Sequence, residues 1–264
     1  MENMYMLLFF LVSSLASVVG AICGIGGGVI IKPVLDMLGL ADVSTISFLS
    51  GCTVLSMSLY SVAHSVFSKE RKVDIALGTP LAIGAALGGI VGKMMFTGIK
   101  SLFYNSNIIG SIQAACLLVL TIGTLLYTFY KDKISTKKLT GWVPCVSIGL
   151  LLGISSSFLG IGGGPINLIV LHYFFGMATK IAAANSLYII VFSQIANLLA
   201  SIATGTVPQF NFSDLIVMII GGIVGGVASR LIGKKITSKT TDKLFIFLML
   251  VIIGICIFNI IQFS

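Results

Sequence analysis

The sequence GIGGG occurs twice, at residues 24–28 and 160–164, each time inside a long apolar stretch. The two copies stand 136 residues apart. Four glycines in five positions make poor helix, at about 1 kcal/mol apiece relative to alanine. They do let the backbone turn sharply and come close to another group. Interrupted backbone at membrane depth survives only where protein or a watery cavity covers it. Interruptions at matching places in two halves of a chain point to the binding site of a transporter.

Composition places the interruptions in a membrane. Hydrophobic residues make up 57% of the 264 and charged residues 9%, more apolar surface than a water-soluble domain can hide. The net charge of +8 comes from lysines between apolar segments, where cytoplasmic loops collect them, so nucleic acid is not a partner. The five cysteines are scattered, with no CxxC or Cys/His cluster, so neither a disulfide framework nor a metal site is expected. A catalytic nucleophile–base set is not visible either, which argues against an enzyme, and no cofactor is implied.

Read in order, the chain has a broken segment at 5–38 and apolar segments at 44–67, 75–96 and 108–130. The pattern then repeats, with a broken segment at 141–175 and apolar segments at 178–203, 215–232 and 244–263. Gly84, Gly88 and Gly92 form a four-residue ridge of the kind that packs helices. Gly221, Gly225, Ser229 and Gly233 repeat it at a register of 137, one residue longer. The first repeat is placed at 1–135 and the second at 136–264.

Loop charges decide the topology. If all eight segments cross, basic residues divide almost evenly between the two faces. If both broken segments are re-entrant hairpins, thirteen basic residues fall on one face and only Lys93 and Lys100 on the other, as the positive-inside rule requires. The expected fold is an all-α integral membrane protein of two inverted repeats, each a glycine-broken re-entrant hairpin plus three transmembrane helices. Both termini then lie outside a multi-pass cell membrane protein, and a homo-oligomer is open.

Doubled GIGGG at the bend of an apolar segment, with Pro33 soon after the first, resembles the sulfite exporter TauE/SafE family over about residues 8–260. The second copy departs from this: Ile169 stands at the counterpart of Pro33, and Pro165 follows the glycines directly. The resemblance implies a carrier for a small sulfur-containing anion, sulfite or an organosulfonate, working by alternating access. An anion channel, or a permease for a carboxylate or thiosulfate, is the alternative.

Helix N-termini carry free N–H groups and partial positive charge, and bind anions. The expected substrate site is therefore the pair of breaks brought together: Gly24, Gly26, Gly27 and Gly28 with Gly160, Gly162, Gly163 and Gly164. Polar neighbours on the facing segments complete it: Ser50, Asn167, Asn185 and Ser186. Lys32 either adds a positive charge there or snorkels to the interface. Gln194 and Asn197 read as interhelical hydrogen-bonding residues, Cys23 as a small apolar filler, and His64 and His172 as structural. All eight acidic residues fall at segment ends, so no buried carboxylate is expected to couple transport. An inside-negative potential already drives anions outward, by about 2.3 kcal/mol per charge per 100 mV.

Overall fold

The computed structural model describes residues 2–67, 73–102 and 106–263. The polar connection at 69–72 lies outside them. Among the described residues ten α-helices follow in order: α1 (Glu2–Cys23), α2 (Gly28–Leu38), α3 (Val43–Phe67), α4 (Ile75–Leu102), α5 (Ser106–Tyr130), α6 (Trp142–Leu159), α7 (Pro165–Phe175), α8 (Thr179–Ala203), α9 (Phe212–Gly233) and α10 (Ser238–Phe263). Six full spans were expected, yet eight of these helices are long and apolar enough to cross a membrane. The extra two are α1 and α6, the long arms of the broken segments. The short arms α2 and α7 have 11 residues each, about 16 Å of helix.

Local chemistry sets the ends. Gly39, Gly160 and Gly176 close α2, α6 and α7 in the left-handed conformation, which glycine adopts without a Cβ penalty. Pro165 opens α7, where its missing N–H costs nothing.

Both broken segments fold back to the face they came from. Leu38 and Gly39 at the end of α2 line one cavity with Tyr5 and Phe9 at the start of α1. After α7, the carbonyls of Tyr173 and Phe174 accept from the N–H groups of Lys137 and Leu139, which precede α6.

The glycine ridges fix the directions of the other helices. A Cβ on Gly84, Gly88 or Gly92 would run into the carbonyls of Val146, Leu150 and Ile154 in turn, so α4 lies parallel to α6 at backbone contact. Gly221 meets Phe10 and Ser13, and Gly225 meets Ser14 and Ser17, so α9 lies parallel to α1. The second ridge is shorter than expected, because Gly233 faces open space. Gly222 and Gly226 set α9 parallel to α3 through Thr53 and Met57. By contrast α5 and α10 are antiparallel, with Gly110 on Phe263 at one end and Lys131 bridged to Asp242 at 2.6 Å at the other.

Packing pairs come in exchanged sets. α4 on α6 is answered by α9 on α1, α4 on α8 by α9 on α3, and α2 on α10 by α7 on α5. The two breaks meet where these sets cross, in the middle of the bundle.

Candidate functional site

The two glycine runs touch. Gly24, Gly26, Gly160 and Gly162 have φ between +65° and +76°, a backbone region that side chains strain. Gly24 sits on Ala183, and its counterpart Gly160 on Ser47. A Cβ on Gly28 would land on the Ile161 carbonyl oxygen, and one on Gly163 would come within 2.9 Å of the Ile25 carbonyl oxygen. Gly27 lies against Ser17, and Gly164 beside Ile161 and Ile166. The two breaks are therefore brought together, as expected, and in this conformation they lie in direct contact. The glycines are used for close approach, and each break fills the other. Ile25 N–H donates to Gly20 and the N–H groups of Ile30 and Ile31 to Gly27, so the amides of Gly26, Gly27 and Gly28 stand outside these bonds.

Ser50 and Ser17 lie against the first break, and the other expected polar residues stand on α7 and α8. Ser50, Ser186 and Asn167 are buried, and Ser50 Oγ, Ser186 Oγ and Asn167 Oδ1 have no hydrogen-bond partner. Ser17 Oγ, against the first break, has none either. Asn185 is already engaged: its Oδ1 accepts from Asp74 N–H at 3.0 Å and its Nδ2 donates to the Ile181 carbonyl at 2.9 Å, which ties α8 to the start of α4. Lys32 is not an open charge, since its Nζ donates to Asp36 Oδ2 at 2.6 Å. Asp36 itself is buried, which overturns the expectation that no buried carboxylate is present. The cause is the short arm α2, which starts inside the bundle at the buried Gly28 and reaches the surface only past Asp36, at the exposed Leu38 and Gly39.

Gln194 is the residue that sequence reasoning set aside. It is fully buried, neither atom of its amide has a partner, and it wedges between Gly51 and Gly162. An unsatisfied buried amide costs about 1–3 kcal/mol; its cost is one a functional site can justify. Spacing alone could not separate it from a helix-bridging glutamine.

Room for a solute lies above the first break. A cavity of about 400 Å³ is lined by Ala21 and Ile22 at the end of α1, by Ala183 and Leu187 of α8, and by Ser61, Ser65 and His64 of α3. Among the described residues Lys180, Arg230 and Lys234 give it three cations, and no acidic one lines it. Lys180 is held by the carbonyls of Gly233 and Ile236. The sequence shows these cations only as loop charges, because they lie some fifty residues apart and converge through the packing of α8 on α9.

The opposite end has a matching cavity, nearly closed, of about 20 Å³. Its residues correspond to those of the vestibule through the repeat. Ser47 and Gly51 answer Ala183 and Leu187, Asn197 and Ser201 answer Ser61 and Ser65, and Lys93 answers Arg230. Phe48, Phe96 and Gln113 help to fill it.

The family described as Sulfite exporter TauE/SafE matches residues 9–256. A probable membrane transporter protein of Haemophilus influenzae is 30% identical over 164 residues, 61% of this chain and 60% of that protein's length. The probable membrane transporter protein YunE of Bacillus subtilis is 23% identical over 214 residues, 73% of this chain and 77% of its own. No solved structure matches. With the family match running through both breaks and eight helices of spanning length, the chain belongs to the sulfite exporter TauE/SafE family of membrane transporters.

Proposed function

We propose that this protein is a secondary carrier for a small anion, sulfite or an organosulfonate, that works by alternating access and moves its substrate outward. The observation that carries the reading is the pair of corresponding cavities, one open to about 400 Å³ and basic, the other shut to about 20 Å³. The anion enters the vestibule, is held by Arg230 and Lys234, and reaches the breaks as they part. There the free amides of Gly26–Gly28 and the unpartnered groups of Ser17, Ser50, Ser186 and Gln194 receive it. Neutral donors suit a solute that must also leave.

Two inverted repeats underlie this cycle. In support, α1, α3 and α9 run one way, and α4 and α6 the other. The exchanged packing pairs are those that a two-fold relation would produce. The basic vestibule is the cytoplasmic face on the positive-inside rule, which puts both termini outside.

Protein purified and reconstituted in liposomes should show saturable counterflow of labelled sulfite or sulfoacetate. Among sulfite, sulfate, thiosulfate, sulfoacetate, taurine and simple carboxylates, the transported class should also raise the unfolding temperature of the detergent-solubilised protein. Single-channel currents without counterflow would replace the carrier with a channel. Counterflow of carboxylates alone would replace the substrate class.

A further inference from the structure

The buried pair Lys32–Asp36 stands beside a cavity of about 10 Å³, roughly the room of one water. Three acceptor oxygens on residues lining it have no donor: Asp36 Oδ1, Gln113 Oε1 and Asn259 Oδ1. All three residues are more than nine-tenths buried. The nitrogen of each amide is committed elsewhere. Gln113 Nε2 donates to the Phe158 carbonyl at 2.7 Å, and Asn259 Nδ2 to the Pro33 carbonyl at 3.0 Å. Oxygen is thus what each amide has left to offer. One carboxylate oxygen and two amide oxygens, all buried and without a donor, form a ligand set for a small hard cation.

We propose that Asp36, Gln113 and Asn259 bind a monovalent hard cation, a proton or Na⁺, that couples to anion movement. The inference rests on the carrier reading above. Its geometry links the two solutes. Lys32 Cε lies 3.5 Å from where a Cβ of Gly160 would stand, so the ammonium neighbours the second break. A cation arriving at Asp36 displaces Lys32, and the released charge turns toward that break, where it attracts the anion. Gln113 also lines the shut cavity with Lys93 and so joins the cation site to the closed gate. The charged and titratable groups facing the pair are Cys256 of α10 across the cavity and Asp42 beyond the end of α2. α1 and α3 meet α2 with apolar residues, among them Phe9, Ala16, Ile46 and Leu49.

The test uses full-length protein in liposomes at clamped voltage, with labelled sulfoacetate as the probe. A pH gradient and a Na⁺ gradient are imposed separately, and the readout is the ratio of transport rates with and without each gradient. In the wild type one gradient should raise the rate at least fivefold, and the arm that responds names the cation. In Asp36→Asn the ratio should fall to one, and in Asn259→Leu it should drop by at least half. A wild-type ratio of one in both arms while counterflow proceeds would overturn the coupling site and leave the carrier standing. An unchanged ratio in Asp36→Asn would do the same, and so would one in Asn259→Leu if Asp36→Asn fails to fold. No counterflow of any tested anion by the wild type would remove the carrier reading, and this site with it.

Discussion

Replacing Gly28 with alanine should cost about 3 kcal/mol or more of stability, with loss of the folded protein from the membrane fraction. Helix propensity argues the other way. Gly28 is the first residue of α2, its φ is not left-handed, and alanine is the better helix former by about 1 kcal/mol. Packing decides the sign. The new methyl would fall on the Ile161 carbonyl oxygen, with Ser50 Oγ at 3.0 Å on another side. The obstacle is backbone at the tip of the second break and cannot swing away as a side chain would. The control is Gly254→Ala in α10, where a Cβ would meet nothing within 4 Å. That change should leave stability equal or raise it by up to about 1 kcal/mol. Fluorescence-monitored thermal unfolding in detergent, with membrane expression levels, distinguishes the two. Equal behaviour of the two variants would mean that the breaks do not touch.

The second large effect belongs to the vestibule. Arg230→Glu changes the local charge by two units in a cavity that no acid lines among the described residues. At about 8 Å and an effective dielectric of about 40, each unit is worth about 1 kcal/mol to a monovalent anion. The apparent affinity should fall by about thirtyfold. Arg230→Lys should stay within about threefold, since charge rather than bidentate geometry is the quantity in play. The wild-type affinity should also weaken as inert salt rises, because the vestibule is open to water and its field is screened. Concentration dependence of uptake in proteoliposomes measures all three. An unchanged affinity in Arg230→Glu would mean that the anion does not pass through this cavity.

Much of the architecture is legible in the sequence because it is periodic or repeated. The ridge at Gly84, Gly88 and Gly92 names its own function, as four-residue spacing puts all three on one helix face. The break positions follow from glycine clusters that no lipid-facing helix would keep. What escapes is whatever depends on how far a helix reaches. Asp36 sits at the end of an apolar run, which looks like a membrane surface. It is buried because α2 is only half a span long and packs against α1, α3 and α10, so that Asp36 lies inward of the exposed Leu38. The sequence places Asn185 in the site and Gln194 between helices, but nothing in their spacing shows which amide finds a partner. Only the fold assigns the first to Asp74 N–H and leaves the second unpaired beside Gly162. The vestibule's cations are visible as charges but not as a cluster, because long-range packing of α8 on α9 assembles them.

Reciprocal labelling of two corresponding positions tests the alternating carrier most directly. Ser61→Cys stands in the open vestibule, and Asn197→Cys at its shut counterpart. With a membrane-impermeant thiol reagent, Ser61→Cys should label from the cytoplasmic face and Asn197→Cys from neither face at rest. During sulfoacetate exchange Asn197→Cys should become reactive from outside while Ser61→Cys slows. Simultaneous reactivity of both positions from their own faces, or an Asn197→Cys that never labels while exchange proceeds, would contradict the account.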